Sequence, residues 1–274
     1  DHIRKRQIES QPFGAGSFIA LPARRKVSEK VSNPIVLIPA RMASMRLPNK
    51  PMAQLAGQPM IVQVWQRACA ADCGRVVVAA AEAEIAEAVA QAGGEAVLTD
   101  PQLPSGSDRI HAALQQIDPD GAHDVVVNVQ GDLPTLEPHL VSATLDALPG
   151  HDMSTLVAEI KDPQERENPN VVKAIVSLRD AHQGRALYFT RATAPSGEGP
   201  LYHHIGIYGY TRDALDTFVA LPPSPLEQRE RLEQLRALEA GMSIAAAVVD
   251  TVPVGVDTAA DLAHAEQLLT RGKG

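Results

Sequence analysis

Three short runs of apolar, mostly β-branched residues constrain this chain more than any other feature: Ile35–Ile38, Arg75–Ala79 and Asp124–Val129. A strand with one wet face alternates apolar and polar side chains. A run without that alternation needs cover on both faces, as a parallel sheet layered with helices supplies. The intervals fit this pattern, because Pro59–Ala71, Glu82–Ala92 and Ser107–Ile117 read as helices and Glu95–Leu98 as a further strand. The expected fold is α/β, a doubly wound and mainly parallel sheet. Its core must be filled by Ala, Val, Ile and Leu, since aromatic residues make up only 3%.

The second half is less regular. Strand-like Met153–Ile160, Val171–Ser177 and His203–Tyr210 follow with few helices between them, which predicts an antiparallel extension or a mixed sheet, a smaller insert at about 153–210 that would form the sugar side and a dimer surface. Leu226–Ala240 reads as one helix entered through Ser224, Pro225 and Glu227, a cap, a first-turn proline and a capping-box glutamate. Ser243–Val249 is the last strand and Thr258–Leu269 the last helix. Residues 1–33 lack any periodicity and read as a mobile N-terminal extension, leaving 34–274 as a single domain.

Lys plus Arg number 25 against 33 Asp plus Glu, a net charge of −8, which argues against nucleic acid as a partner. No apolar run approaches the roughly 18 residues of a membrane span, and no membrane association is expected. The two cysteines, Cys69 and Cys73, stand four apart and read as a buried apolar pair, suited to a reducing cytoplasm.

In open α/β sheets ligands bind beyond the carboxyl ends of the strands, so the loops after Ile38, Val129 and Val256 are where chemistry is expected. The first carries Arg41, Arg46 and Lys50 in ten positions, with Ser44 among them and no acidic residue from Pro34 to Asp72. Three unpaired cations there point to an anion site; a solvated basic loop is the alternative. The second loop, Gln130-Gly131-Asp132, places a carboxylate where Mg²⁺ could take it together with phosphate oxygens, unless Asp132 merely forms the turn. In the third, Thr258 and Asp261 form a capping box that leaves Asp257 outside the helix and free for a ligand. Ser105-Gly106-Ser107-Asp108-Arg109 opens a helix and suits a base or a phosphate, or is a simple Ser105/Asp108 capping box. The glycine fingerprint of dinucleotide enzymes and the P-loop are both absent. Further on, Tyr188, Arg191, His203, His204, Tyr208 and Tyr210 concentrate aromatic and cationic groups. Neighbouring histidines on a strand face opposite ways, which speaks against a zinc pair.

Taken in order, IPARMASMRLPNKPM, SGSDRI, VVVNVQGD, NPNVVKA, ALYFTRA, HHIGIYGY, PPSPLEQRERLEQLR and VGVDTAADL resemble the 3-deoxy-manno-octulosonate (Kdo) cytidylyltransferases, the CMP-Kdo synthetases of lipopolysaccharide-producing bacteria. The resemblance runs from about Ile35 to Leu269 and departs from the family at Asn49, Leu133 and near Ser196. It implies Mg²⁺-dependent transfer of CMP from CTP to the anomeric hydroxyl of Kdo, with release of pyrophosphate, by a cytoplasmic homodimer. It also implies roles: Arg41, Ser44, Arg46 and Lys50 on the triphosphate, Ser107 and Gln130 on the cytidine side, and Asp132 with Asp257 on the metal. Arg41, Lys50, Asp132 and Asp257 would form the catalytic set, and Arg191, His204, Tyr208, Glu227 and Gln228 would face the sugar acid. The alternatives are a cytidylyltransferase for another sugar acid, such as sialic acid or 8-amino Kdo, and a non-catalytic nucleotide-binding regulator. Retention of both Asp132 and Asp257 speaks against the regulator, and the missing second aspartate after Asp132 speaks against a GT-A glycosyltransferase.

Overall fold

The computed structural model describes residues 33–44 and 46–271, so the extension expected at the N-terminus lies almost wholly outside the described residues. Strand β1 (Pro34–Ala40) leads through a 3-10 turn (Lys50–Met52) and a two-stranded ribbon, β2 (Gln54–Leu55) and β3 (Gln58–Pro59), into α1 (Met60–Cys69). Next come β4 (Arg75–Ala80), α2 (Ala83–Gln91), β5 (Glu95–Leu98), α3 (Gly106–Ile117), β6 (Val125–Asn128) and α4 (Pro138–Ala147). The second half holds β7 (Met153–Glu159), α5 (Pro163–Glu167), β8 (Lys173–Leu178), β9 (Gln183–Thr190), β10 (Tyr202–Thr211) and α6 (Arg212–Ala220). It ends with α7 (Pro225–Glu230), α8 (Gln234–Glu239), β11 (Ile244–Val249) and α9 (Ala259–Arg271).

Nine strands form one sheet in the order β5-β4-β1-β6-β10-β7-β11-β9-β8. The first four are parallel, with Val36 opposite both Val76 and Val127. The absence of alternation in β1 is explained by its surroundings. Val36 and Ile38 pack with Ile61 and Val64 of α1 and Ile85 of α2, while Ile35 and Leu37 pack with Ile110 and Leu114 of α3. Ile35 through Ile38 have no exposed surface, and each such side chain contributes about 1.5–3 kcal/mol.

Of the arrangements expected at 153–210, the topology shows a largely antiparallel extension of the main sheet and not a smaller insert of its own. Strand β10 runs antiparallel between β6 and β7, so β7 and β10 continue the main sheet. Only the β8–β9 hairpin lies at its far edge, and β8 also pairs with the start of β10, curling the sheet back on itself. The single helix expected at Leu226–Ala240 is two, broken where Arg231 takes a left-handed conformation (φ 57°). Nor are the cysteines a buried pair: α1 ends at Cys69, which is exposed, and Cys73 lies beyond the helix, half-buried. Helices α4, α5 and α6 and strands β2, β3 and β9 have no counterpart among the elements expected from the sequence.

Candidate active site

The carboxyl ends of β1 and β6 open into a cavity of about 790 Å³ whose wall includes Arg41, Ser44, Arg46, Lys50, Gln130, Asp132 and Asp257. Gly131 makes this convergence possible, because a Cβ there would lie 2.6 Å from the carbonyl oxygen of Pro39, too close for any side chain. Asn49 has φ 56°, a left-handed position that suits glycine and that asparagine tolerates better than most residues, and it delivers Lys50 to the site. The Lys50 ammonium lies 2.7 Å from Asp132 and 3.1 Å from Asp257, and Arg46 lies 2.9 Å from Asp257. Two of the three loop cations are therefore not unpaired, as the sequence had suggested. Asp257 stands outside the Thr258/Asp261 capping box, which is formed as expected, but it is occupied by both cations rather than free. Burial alone would push the Lys50 pKa down; the two carboxylates outweigh it and hold the value above normal. A site that concentrates two carboxylates on one cation fits Mg²⁺, a hard ion that takes one or two carboxylates and fills its remaining positions with phosphate oxygens and water. Among the described residues no group of three or more His, Cys, Asp or Glu is placed to hold a metal ion.

Arg109 also lines the cavity, and the sequence reading gave it no role. It is buried and donates to Thr99 Oγ1 at 2.6 Å and the Asp100 carbonyl at 3.0 Å, both neutral. Burial first, and then the charge of Arg41, pushes its pKa down. The signal was there: Arg109 stands in the buried stripe of α3 with Ile110, Ala113 and Leu114, where a long cation needs a reason. Ser105 caps α3, its hydroxyl accepting the Asp108 N–H at 3.1 Å and donating to the Asp108 carboxylate at 2.7 Å, which is the N-terminal half of the capping box that was the alternative. Ser107 is buried, is not among the residues of the cavity wall, and donates to Glu233 at 2.9 Å.

A second group of residues lies outside that wall. His204 Nε2 is 3.0 Å from Thr155 Oγ1, and its ring meets Phe189 edge-on at 4.7 Å and Tyr208 at 5.5 Å. Burial, with a smaller effect from His203, lowers the His204 pKa to about 3, so the ring is neutral at pH 7. Burial likewise raises the Tyr208 pKa. Arg191 donates from Nε to the Glu230 carbonyl at 3.0 Å and from Nη1 to the Pro169 carbonyl at 3.1 Å. Both acceptors are neutral, which leaves the guanidinium charge for another anion.

The cytidylyltransferase family model matches residues 35–244. The 3-deoxy-manno-octulosonate cytidylyltransferase of Parvibaculum lavamentivorans is 64% identical, covering 92% of this chain and 98% of its own. That of Rhodospirillum centenum is also 64% identical, over 86% of this chain and 93% of its own. The chain belongs to the 3-deoxy-manno-octulosonate cytidylyltransferase family. A solved structure of CMP:2-keto-3-deoxy-manno-octonic acid synthetase complexed with CTP superposes with a TM-score of 0.82 at 34% identity, covering 88% of this chain and all of that one.

Within this cytidylyltransferase, Glu227 and Gln228 are placed unlike the sequence expectation. Glu227 accepts the Ser224 backbone N–H at 2.9 Å and holds both arms of Arg236, which is the capping and bracing role. Gln228 is exposed on the short helix. Six residues later the same Leu-Glu-Gln triplet recurs, and there Gln234 Nε2 is buried without a hydrogen-bond partner and Glu233 Oε1 has none either, its nearest cation being Arg236 Nη2 at 3.9 Å. Buried polar atoms left so are expensive unless a ligand or water meets them. Glu233 and Gln234 are thus the better candidates for the sugar side.

Proposed function

We propose that this chain transfers CMP from CTP to the anomeric hydroxyl of Kdo for lipopolysaccharide synthesis. The hydroxyl oxygen bonds to the α-phosphorus as its proton passes to solvent, the bond from the α-phosphorus to the α–β bridging oxygen breaks, and pyrophosphate leaves. What carries this reading is the meeting of Lys50, Arg46, Asp132 and Asp257 at one cavity in a chain so close to enzymes of that name.

Transfer of this kind needs positioning and charge neutralisation more than covalent help. In our reading Arg41, Ser44, Arg46 and Lys50 hold the triphosphate together with Arg109, and Gln130 and Ser107 serve the cytidine side. Asp132 and Asp257 would hold Mg²⁺, which supplies neutralisation of phosphate charge when bound. Arg191 offers its planar fork to the Kdo carboxylate, and Tyr208, His204, Glu233 and Gln234 meet its hydroxyls. His204 acts as a neutral hydrogen-bonding group and not as a base, since a pKa of about 3 makes it a poor proton acceptor. The test is pyrophosphate release from CTP with Kdo, 8-amino Kdo and sialic acid in parallel. Fast release with Kdo is expected; release only with another acid, or CTP binding with no release from any, overturns the assignment.

A homodimer and a cytoplasmic location belong to the same proposal. Leu178 and Leu187 of the β8–β9 hairpin are 38% and 53% exposed at the sheet's outer edge, where a second copy would cover them. No helix among the described residues is long and apolar enough to cross a membrane. Sedimentation and cell fractionation check the two points; a monomer at micromolar concentration, or recovery with the membranes, would contradict them.

A further inference from the structure

Lys173 opens β8 with no exposed surface, and its ammonium donates to three backbone carbonyls: Asn168 at 2.7 Å, Val171 at 2.8 Å and Arg191 at 3.2 Å. All three ammonium hydrogens are used. No carboxylate pairs with it among the described residues, although burying a charge without one is costly. Closing the local turn is not what demands this cation, because the Val171 N–H already donates to the Asn168 carbonyl at 3.1 Å. What the ammonium adds is a link from that turn to Arg191. Pro169, inside the turn, provides the carbonyl that receives Arg191 Nη1, and Glu230 provides the one that receives Nε. The guanidinium is aimed by two carbonyls, one of them in a segment that Lys173 ties to the Arg191 main chain.

We propose that Lys173 is a positioning residue for the sugar-acid site, fixing the Asn168–Val171 turn against Arg191 and so the direction in which the guanidinium presents its fork to a carboxylate. This rests on the reading of Arg191 as the carboxylate-binding residue. Displacement of such a fork by a fraction of its hydrogen-bond length is enough to lose two-point contact.

The experiment is steady-state kinetics of the full chain carrying Lys173→Met, Lys173→Gln, Arg191→Ala, or Lys173→Met together with Arg191→Ala, run well below each variant's melting temperature. Lys173→Met is expected to raise KM for Kdo about tenfold, equivalent to about 1.4 kcal/mol, with KM for CTP unchanged. Glutamine, with two amide hydrogens for the same carbonyls, should recover part of that loss. In the double variant Lys173→Met should add nothing to the effect of Arg191→Ala, because it acts through a side chain no longer there. Equal changes in KM for both substrates, or full additivity in the double variant, would show a merely structural lysine and overturn the proposal. If Lys173→Met does not fold, Lys173→Gln decides by the same split between the two KM values. An unchanged KM for Kdo in Arg191→Ala brings down the sugar-site reading and the proposal with it, whereas a raised value there with unaltered Lys173 variants brings down the proposal alone.

Discussion

Asp132 and Asp257 come from loops 125 residues apart in sequence and meet on the single ammonium of Lys50. Asp132 was legible as a residue just beyond a strand, and so was the cationic loop opposite; Asp257 was legible only as the residue left outside the Thr258/Asp261 capping box, because β11 ends at Val249 and no strand ends at Val256. Their mutual pairing was not, because sequence gives the position of a side chain on the fold but not the direction it takes within a loop. Arg109 was missed for the opposite reason: its neighbours Ser105 and Asp108 supplied a complete capping explanation for the segment. Asp132→Asn and Asp257→Asn keep side-chain shape and remove the charge, so each is expected to abolish most turnover while the melting temperature stays near normal. Together they should cost no more than either alone, as members of one site do. Kinetics and thermal melts on the three variants check this; full activity of Asp257→Asn with a lowered melting temperature would make it a helix-start residue only. Lys50→Ala is expected to weaken CTP about ten- to a hundredfold, the range for losing a hydrogen bond to a charged group, and to leave Kdo less affected. Titration calorimetry with each substrate reads it out, and equal affinity for CTP would return Lys50 to the surface-charge reading.

Elements were legible where their boundaries were marked. Helix α3 begins at a serine cap and the first strands end in polar loops, but α6 follows β10 with no loop at all, Thr211 being both the last strand residue and the cap that accepts from Ala214. Helix α4 has the helical stripe Leu140, Val141, Thr144 and Ala147 yet no side-chain cap at Glu137 to announce it. The elbow between α7 and α8 hides behind its own repeat, since a Leu-Glu-Gln triplet opens both halves. Burial would raise the Glu227 pKa, but Arg236 and the Ser224 N–H pull it below the usual 4.5. A depressed carboxylate stabilises the fold fully above about pH 4.5, its unfolded value, and that contribution disappears as pH falls through the lower folded value. Glu227→Gln should therefore lower stability at pH 7, remove part of the loss on acidification and leave turnover near normal. Glu233→Gln should instead raise KM for Kdo. Melting curves from pH 3 to 7 beside Kdo titrations separate the two, and a Kdo defect confined to Glu227→Gln would restore the first triplet to the sugar site.

At the scale of the whole molecule, the parallel half was readable because burial on both faces erases alternation, whereas the place of β10 was not. Its pattern is that of any half-buried strand, and only the pairing shows that it runs antiparallel through the middle of the sheet. The same topology sets where the chain can be cut. Strand β1 is the third of nine, bonded on both sides, and the cavity that gathers Lys50, Asp132 and Asp257 opens at its end. Before it, Asn33 is still engaged, its N–H donating to Asp124 at 2.6 Å and its side chain to the Ala122 carbonyl at 2.9 Å. The family match begins at residue 35, and no described residue of the cavity or the sheet precedes Pro34. A chain starting at Asn33 is therefore expected to melt at the same temperature as the full one and to release pyrophosphate at the same rate. One starting at Leu37 loses three of the seven residues of β1, including the buried Ile35 and Val36, and should not fold, since two neighbouring strands lose part of their partner at once. Thermal melts and turnover on the two truncations test this together, and a fall in either quantity for the Asn33 start would assign residues 1–32 a part in the fold or the reaction.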